Sequence, residues 1–187
     1  MKRLTALAAS LALAGCAAIT QPATTNNAAI AELRDANARP VGMATLTQVP
    51  GGVRIVIDAK GLPPGPHGVH IHEVGKCEGP QFTSAGGHIN PEKKQHGVLN
   101  PQGAHAGDLP NITIDGAGNG RMETTTSRVT LGGGASSLFD ADGSAIVIHA
   151  APDDFKTDPT GNSGGRIVCG VIVKQELPGE KKASGGY

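Results

Sequence analysis

Apolar and polar residues alternate with a period of two along most of this 187-residue chain, and this periodicity restricts the fold most strongly. Val53, Ile55 and Ile57 would share one face of an extended segment, because side chains alternate across a strand. Residues 145–149 and 166–173 are short apolar runs typical of buried strands. Helical spacing is almost absent, so the sequence predicts an all-β domain, either a sandwich or a small barrel.

Turn-rich sequence separates the segments that fit this extended pattern. Pro50-Gly51-Gly52 and the stretch from Gly116 to Gly120 each predict a hairpin turn. The chain has no Trp, one Tyr and three Phe, so the core must be aliphatic. We predict eight strands, at residues 28–34, 42–48, 53–58, 69–72, 111–115, 121–126, 145–149 and 166–173.

Two long polar stretches, residues 73–107 and 150–165, are rich in Gly and Pro and fit no strand. Structureless loops of this length in a compact domain are usually functional or disordered. The first of them contains three histidines of a larger pattern. This favours an ordered loop that is held by a metal.

Six of the seven histidines form a pattern that indicates a shared two-metal site. Two of them, His70 and His72, would point to one face of a strand, and neutral imidazole is a good ligand for copper and zinc. One His-x-His pair is weak evidence, because a half-buried histidine is more often a core residue than a ligand. The complete set is far stronger, and with Asp108 it provides seven ligands, enough for two four-coordinate ions if one residue binds both. The six are His70, His72, His88, His96, His105 and His149.

The N-terminus is predicted to be an export signal. Lys2 and Arg3 precede an apolar stretch that is too short to span a bilayer permanently. Leu13-Ala14-Gly15-Cys16 then resembles a bacterial lipobox, so residues 1–15 would be removed and Cys16 would be lipidated. Ordinary secretion, with cleavage near small residues, is the alternative. The lipid would hold a periplasmic protein on a bacterial membrane, and Ala17 favours the outer one.

The mature chain would consist of a tether at residues 17–27, one domain at 28–174 and a polar tail at 175–187. The formal net charge is zero, with no basic run and few aromatic residues, so no nucleic-acid partner is expected. An exported chain whose remaining cysteines are Cys77 and Cys169 is expected to oxidise them to a disulfide, although two free buried thiols are the alternative.

Four motifs together resemble the copper/zinc superoxide dismutases in their bacterial exported form. The motifs are G-P-H-G-V-H-I-H-E-V-G at 65–75, A-G-G-H-I-N-P at 85–91, H-A-G-D-L at 105–109 and G-N-S-G-G-R-I-V-C-G-V-I at 161–172. The resemblance covers residues 28–173 in order. It implies an eight-stranded Greek-key β-barrel or sandwich with two functional loops, an architecture of which this family is an established example. It also implies one copper and one zinc ion per subunit and the dismutation of superoxide to oxygen and hydrogen peroxide.

The resemblance divides the ligands between the two ions. The copper ligands would be His70, His72, His88 and His149, and the zinc ligands would be His88, His96, His105 and Asp108. His88 would bind both ions, and four ligands with no open position suit a structural zinc. Asp153 would accept hydrogen bonds from His70 and His96, which links the two sites. His67 matches a family histidine that is not a ligand.

Catalysis would depend on Arg166 and His88. By resemblance, Arg166 attracts and orients the superoxide anion, His88 takes up a proton during the cycle, and Thr160 lines the channel. The Cys77–Cys169 disulfide would hold the first loop against the strand of Arg166. The membrane would be contacted only through the lipid, and both monomer and homodimer remain open. A non-catalytic periplasmic copper/zinc binding module on the same fold is the alternative function; such proteins usually lack a copper ligand or the arginine, and this chain has both.

Overall fold

Ten strands form one strongly curved sheet in the computed structural model, which describes residues 27–175. Within this range the only helical element is a single 3-10 turn at Thr83–Ala85. The strands are β1 (Ala28–Asp35), β2 (Pro40–Val49), β3 (Gly52–Ala59), β4 (Gly65–His67), β5 (Val69–His72), β6 (Ile112–Ile114), β7 (Gly120–Thr126), β8 (Ala145–His149), β9 (Arg166–Val171) and β10 (Val173–Lys174).

The sheet is nearly closed, because the strands at its two edges, β4 and β5, follow each other directly in the chain. Its order is β4-β6-β7-β3-β2-β1-β9-β8-β5, with β10 also paired to β1, and all the pairs are antiparallel. Gly68 alone separates β4 from β5. Its N–H donates to the Ala151 carbonyl and its carbonyl accepts from His149 N–H, which fixes the closure point. The predicted all-β barrel is therefore confirmed.

All eight predicted strands are present; the structure divides one of them, at 166–173, and adds one more strand, β4. The prediction at 69–72 missed β4, because prolines at 63, 64 and 66 are typical of turns. In the structure β4 pairs with β6 at three positions, whereas β6 meets β7 at only one. The predicted strand at 166–173 is interrupted at Ile172. Its two parts nevertheless keep one register on β1, as the pairs Arg34↔Cys169 and Ile30↔Val173 show.

Alternation along β3 explains how this sequence builds its core. Val53, Ile55 and Ile57 are fully buried, while the intervening Arg54 points outward and pairs with Glu123 on β7 at 2.7 Å. The fully buried side chains of the main core are aliphatic, as the composition requires. A compact aliphatic barrel of this kind gives the loops a rigid base.

Two long connections meet at one side of the barrel. Loop A (residues 73–111) joins β5 to β6, and loop B (residues 150–165) joins β8 to β9. The His96 N–H of loop A donates to Asp158 Oδ1 of loop B at 2.6 Å, and Leu99 N–H donates to the Phe155 carbonyl at 2.9 Å. Both loops are therefore packed against each other.

The predicted signal peptide at residues 1–15, the lipidated Cys16, most of the tether at 17–27 and most of the tail at 175–187 lie outside the described residues. Export and anchoring therefore stay predictions. No helix between residues 27 and 175 is long and apolar enough to cross a membrane.

Candidate metal centre

Four buried histidines direct unpaired ring nitrogens at one point. We call them the four-histidine group; their possible ligand atoms all lie within 4.8 Å of one another. Strands β5 and β8, which are neighbours in the sheet, provide three of the rings, and loop A provides the fourth. Buried polar atoms almost always have a partner, so four unpaired nitrogens together indicate a metal site. The atoms are His70 Nδ1, His72 Nε2, His88 Nε2 and His149 Nε2.

Hydrogen bonds at the opposite ring nitrogens orient three of these imidazoles. His72 Nδ1 donates to the Gly86 carbonyl at 3.0 Å, and His149 Nδ1 donates to the Gly164 carbonyl at 3.2 Å. His70 Nε2 donates to a carboxylate oxygen of Asp153 at 2.8 Å. Because each outer nitrogen carries the proton, each inner nitrogen keeps its lone pair for a metal.

A second set of ligand atoms surrounds one carboxylate oxygen of Asp108, and we call it the Asp108 group. Asp108 Oδ1 lies 3.0 Å from His88 Nδ1, 3.0 Å from His96 Nδ1 and 3.4 Å from His105 Nδ1. The other oxygen accepts the backbone N–H of Gly97 at 2.8 Å and of His105 at 2.9 Å. Three imidazole nitrogens and one carboxylate oxygen are a typical ligand set for tetrahedral zinc.

His88 belongs to both groups through its two ring nitrogens. Nδ1 faces Asp108, and Nε2 faces the four-histidine group. Distance alone also places His70 with His88, His96 and Asp108. However, Asp153 already accepts from His70 Nε2, whereas His105 Nδ1 lies 3.3 Å from His88 Nδ1. We therefore assign His105, and not His70, to the Asp108 group.

Asp153 connects the two groups from loop B. Its buried carboxylate accepts from His70 Nε2 at 2.8 Å and from His96 Nε2 at 2.9 Å. Neighbouring Asp154 is exposed and caps its own turn by accepting from Thr157 N–H. Asp153 therefore contacts a histidine of each group, whereas the hydrogen bonds of the Asp154 side chain stay within loop B.

Asn111 is a residue of the site that the sequence did not reveal. Its side-chain amide donates to the Asp153 carbonyl at 3.0 Å and its side-chain carbonyl accepts from Asp153 N–H at 2.9 Å. These paired bonds hold Asp153 against the end of loop A. An asparagine directly before a strand is too common to have signalled this contact.

The electrostatics of both groups favour cation binding at neutral pH. Burial lowers the pKa of His72 to about 2, of His149 to about 3 and of His88 to about 4, so these rings are neutral and can donate lone pairs. Burial also acts against the charged form of His96, but the Asp108 and Asp153 carboxylates outweigh it and raise the pKa of His96 to about 9. Burial would raise the pKa of Asp108, but hydrogen bonds from the histidines of its group hold that pKa well below its usual range. Asp108 is therefore ionised at neutral pH, and a cation bound by this group would displace the proton that His96 holds.

Arg166 lies beside the four-histidine group and is fixed by loop A. Its Nη1 donates to the Phe82 carbonyl and its Nη2 to the Gly86 carbonyl, each at 2.6 Å. Gly86 also accepts from His72 Nδ1, so one carbonyl connects the guanidinium to the group. Burial lowers the pKa of Arg166. A guanidinium stays charged in proteins, so the site has a fixed positive charge.

The remaining predicted residues lie around this centre. The expected disulfide is present between Cys77 and Cys169, and it ties loop A to β9 three residues after Arg166. Thr160 is exposed in loop B, and its carbonyl accepts from Ser163 Oγ at 2.8 Å. His67 belongs to neither group; its ring nitrogens lie 2.7 Å from the His149 carbonyl and 2.8 Å from the Pro63 carbonyl, as a structural histidine would.

Gly161→Ala is expected to weaken metal binding about 10- to 100-fold, the usual cost of disturbing the partners of metal ligands. Gly161 has a φ of +64°, and an added Cβ would lie 1.8 Å from Asp153 Oδ1. The Asp153 carboxylate would have to move away from His70 and His96. Titration with copper and zinc measures the effect.

Gly164→Ala is the matched control for this prediction. Gly164 has a similar φ of +75° in the same loop, but its nearest neighbour would be Ala151 Cβ at 3.6 Å. Equal losses of affinity in the two variants would show that backbone strain, and not the displacement of Asp153, is responsible.

Comparisons with known proteins agree with this geometry. The family model described as copper/zinc superoxide dismutase (SODC) matches residues 41–172. Superoxide dismutase (Cu-Zn) 1 of Aquifex aeolicus is 50% identical over 144 residues, which are 76% of this chain and 85% of that protein. Superoxide dismutase (Cu-Zn) of Caulobacter vibrioides is 44% identical over 147 residues, 77% of this chain and 84% of that protein. The crystal structure of a SOD-like protein from Bacillus subtilis superposes with a TM-score of 0.74 at 41% identity, covering 77% of this chain and 97% of that chain. The residues matched by the family model include every member of both groups.

Proposed function

The chain belongs to the copper/zinc superoxide dismutase family, and from this premise we propose that it converts superoxide to oxygen and hydrogen peroxide with one copper and one zinc ion. The observation that carries the proposal is the cluster of four unpaired, buried histidine nitrogens with the fixed Arg166 guanidinium beside it. A redox metal and a positive charge for an anionic substrate are the two parts that this reaction needs.

We assign copper to the four-histidine group and zinc to the Asp108 group. The inner nitrogens His70 Nδ1, His72 Nε2, His88 Nε2 and His149 Nε2 would hold copper, which imidazole ligands suit. Asp108 Oδ1 and the Nδ1 atoms of His88, His96 and His105 would hold zinc. Zinc has no redox chemistry, and this set leaves no open position, so its role is structural.

The bound copper would supply the redox chemistry, because it can accept an electron from one superoxide and give it to a second. The protein must supply protons for the peroxide that forms. His88 is suited to hold a proton at Nε2, while its Nδ1 stays with the Asp108 group and keeps the ring in place. His88 is therefore both a ligand and a catalytic residue in this proposal.

Arg166 would bind and orient the substrate anion. A guanidinium has five N–H donors. Two of its nitrogens, Nη1 and Nη2, donate to loop A carbonyls, so donors remain for superoxide. A positive charge that is held in a cleft raises the association rate of anions, and salt screens this effect. Thr160, exposed in loop B, is proposed to line the approach to this charge.

Dismutation by metal-reconstituted protein tests the proposal directly. Protein loaded with copper and zinc should be active, whereas zinc-only and metal-free protein should not. Activity of the loaded protein no greater than that of the metal-free control would instead favour a non-catalytic copper/zinc binding module on the same fold.

Arg166→Ala is expected to lower the second-order rate of dismutation about 10- to 100-fold, because steering and orientation of the anion are lost. Its copper and zinc contents should be unchanged, and its rate should depend less on ionic strength. Arg166→Lys keeps the charge and should recover part of the rate. A metal-replete alanine variant with full activity and an unchanged salt dependence would refute the role of Arg166.

We also propose that the protein is exported and anchored to a bacterial membrane, preferably the outer one, through lipidated Cys16. The support is the signal-like N-terminus that ends in Leu13-Ala14-Gly15-Cys16. Cys16→Ser should abolish labelling by a radioactive fatty acid and release the protein from the membrane fraction. An unlabelled wild-type protein would favour ordinary secretion.

A further inference from the structure

Arg128 is a half-buried cation that forms no ion pair with any acidic residue between positions 27 and 175. Its Nε is buried and has no hydrogen-bond partner among the described residues, and its Nη2 donates to the backbone carbonyl of Asp108 at 2.5 Å. The neighbouring arginines behave differently, since Arg54 pairs with Glu123 and Arg121 pairs with Asp58. A partly buried charge is costly unless it is paired, so a guanidinium that binds only one main-chain carbonyl needs an explanation.

The two backbone amides on either side of the carbonyl that Arg128 binds make long hydrogen bonds. Asp108 N–H donates to the His105 carbonyl at the long distance of 3.4 Å, and the next amide, that of Leu109, donates to Val69 at 3.3 Å. The bond from Arg128 is shorter than both and involves a charged donor, which strengthens it. Arg128 therefore adds a charge-assisted anchor at the Asp108 carbonyl, next to the backbone hydrogen bonds of 2.9 and 3.0 Å that Gly107 makes with Ile71 and Ile89.

The barrel holds Arg128 in a defined place. Its backbone N–H donates to Thr126 Oγ1 at the end of β7, and the following Val129 is buried in the core. Arg128 also lines a depression of about 300 Å³ together with Asp108 and with Phe155 of loop B. The guanidinium thus lies where both loops meet the barrel.

We propose that Arg128 is a positioning residue of the zinc site. It anchors the Asp108 peptide to the barrel, so that Asp108 Oδ1 stays within reach of the three Nδ1 atoms around it. The inference rests on the proposed function, because it takes Asp108 as a zinc ligand.

Zinc affinity, measured by competition with a chromophoric chelator, tests this role. Arg128→Met keeps an unbranched apolar stem but has no donor, and it should bind zinc about 10- to 100-fold more weakly. Arg128→Lys can still donate to the Asp108 carbonyl and should recover part of the affinity. Arg54→Met removes an equal charge from an exposed ion pair of β3 and should leave zinc affinity unchanged.

Two further measurements separate positioning from general stability. The visible spectrum of cobalt bound in place of zinc should change in Arg128→Met, because the ligand geometry is altered. Urea unfolding of the metal-free proteins measures how much stability Arg128→Met loses. The loss in the free energy of unfolding should be smaller than the loss in the free energy of zinc binding. Unchanged zinc affinity and cobalt spectrum, or an affinity loss fully accounted for by unfolding, would overturn the proposal. If Arg128→Met does not fold, Arg128→Lys is compared with wild type: a partial loss of zinc affinity with a changed cobalt spectrum is expected, and wild-type values of both would overturn the proposal.

Asp108→Ala distinguishes failure of this inference from failure of the proposed function. If this variant still binds zinc normally, the proposed zinc ligands are wrong, and Arg128 has no zinc site to position. If it loses zinc while Arg128→Met does not, the ligands stand and only the role of Arg128 is refuted.

Discussion

His149→Ala is expected to lose copper and to reduce dismutation to the level of copper-free protein, while zinc is retained. The change removes one of the four unpaired nitrogens of the four-histidine group and leaves the Asp108 group complete. Disturbing only the partners of metal ligands typically costs about 10- to 100-fold in affinity, so losing a ligand should cost more than about 100-fold.

Metal analysis after reconstitution with both ions checks this prediction, and His105→Ala provides the reciprocal variant. His105 belongs only to the Asp108 group, so its loss should release zinc and spare copper. The two variants together test the division of ligands between the two metals. Loss of zinc from His149→Ala, with copper retained, would overturn it.

Removal of the disulfide by Cys77→Ala with Cys169→Ala is expected to lower the free energy of unfolding by about 4–5 kcal/mol. The cysteines are 92 positions apart, and closing so long a loop restricts the unfolded chain strongly. The same change should lower activity, because Phe82 and Gly86, whose carbonyls hold Arg166, follow Cys77 in loop A.

Urea unfolding of metal-free protein measures the first effect, and dismutation by copper-loaded protein measures the second. Wild-type protein treated with a thiol reductant should unfold like the double variant, and the reductant should not affect the variant further. The double variant lacks the buried sulfur of Cys169, whereas the reduced wild-type protein keeps it. A difference in stability between these two proteins therefore measures the packing of that sulfur. A change below about 1 kcal/mol would show that the disulfide is not a main source of stability.

Much of the fold could be predicted because strand periodicity is a local property. The alternation of Val53, Ile55 and Ile57 indicated a half-buried strand, and all three are buried. Strand β4 was missed for an equally local reason, since the prolines in it and just before it are typical of turns. It is a strand only because the closure of the barrel at Gly68 brings it to β6, far along the chain.

The sequence by itself determined the chemistry of this protein: its aliphatic strands, the order of its six candidate ligand histidines and Asp108, and its family. Only the tertiary structure decided which nitrogen of each ring is free, because that choice depends on partners such as the carbonyls of Gly86 and Gly164. The same holds for Asn111 and Arg128, whose contacts join residues that are distant in sequence. The physical reason is that a hydrogen bond depends on distance and direction in space, which no local pattern of residues encodes.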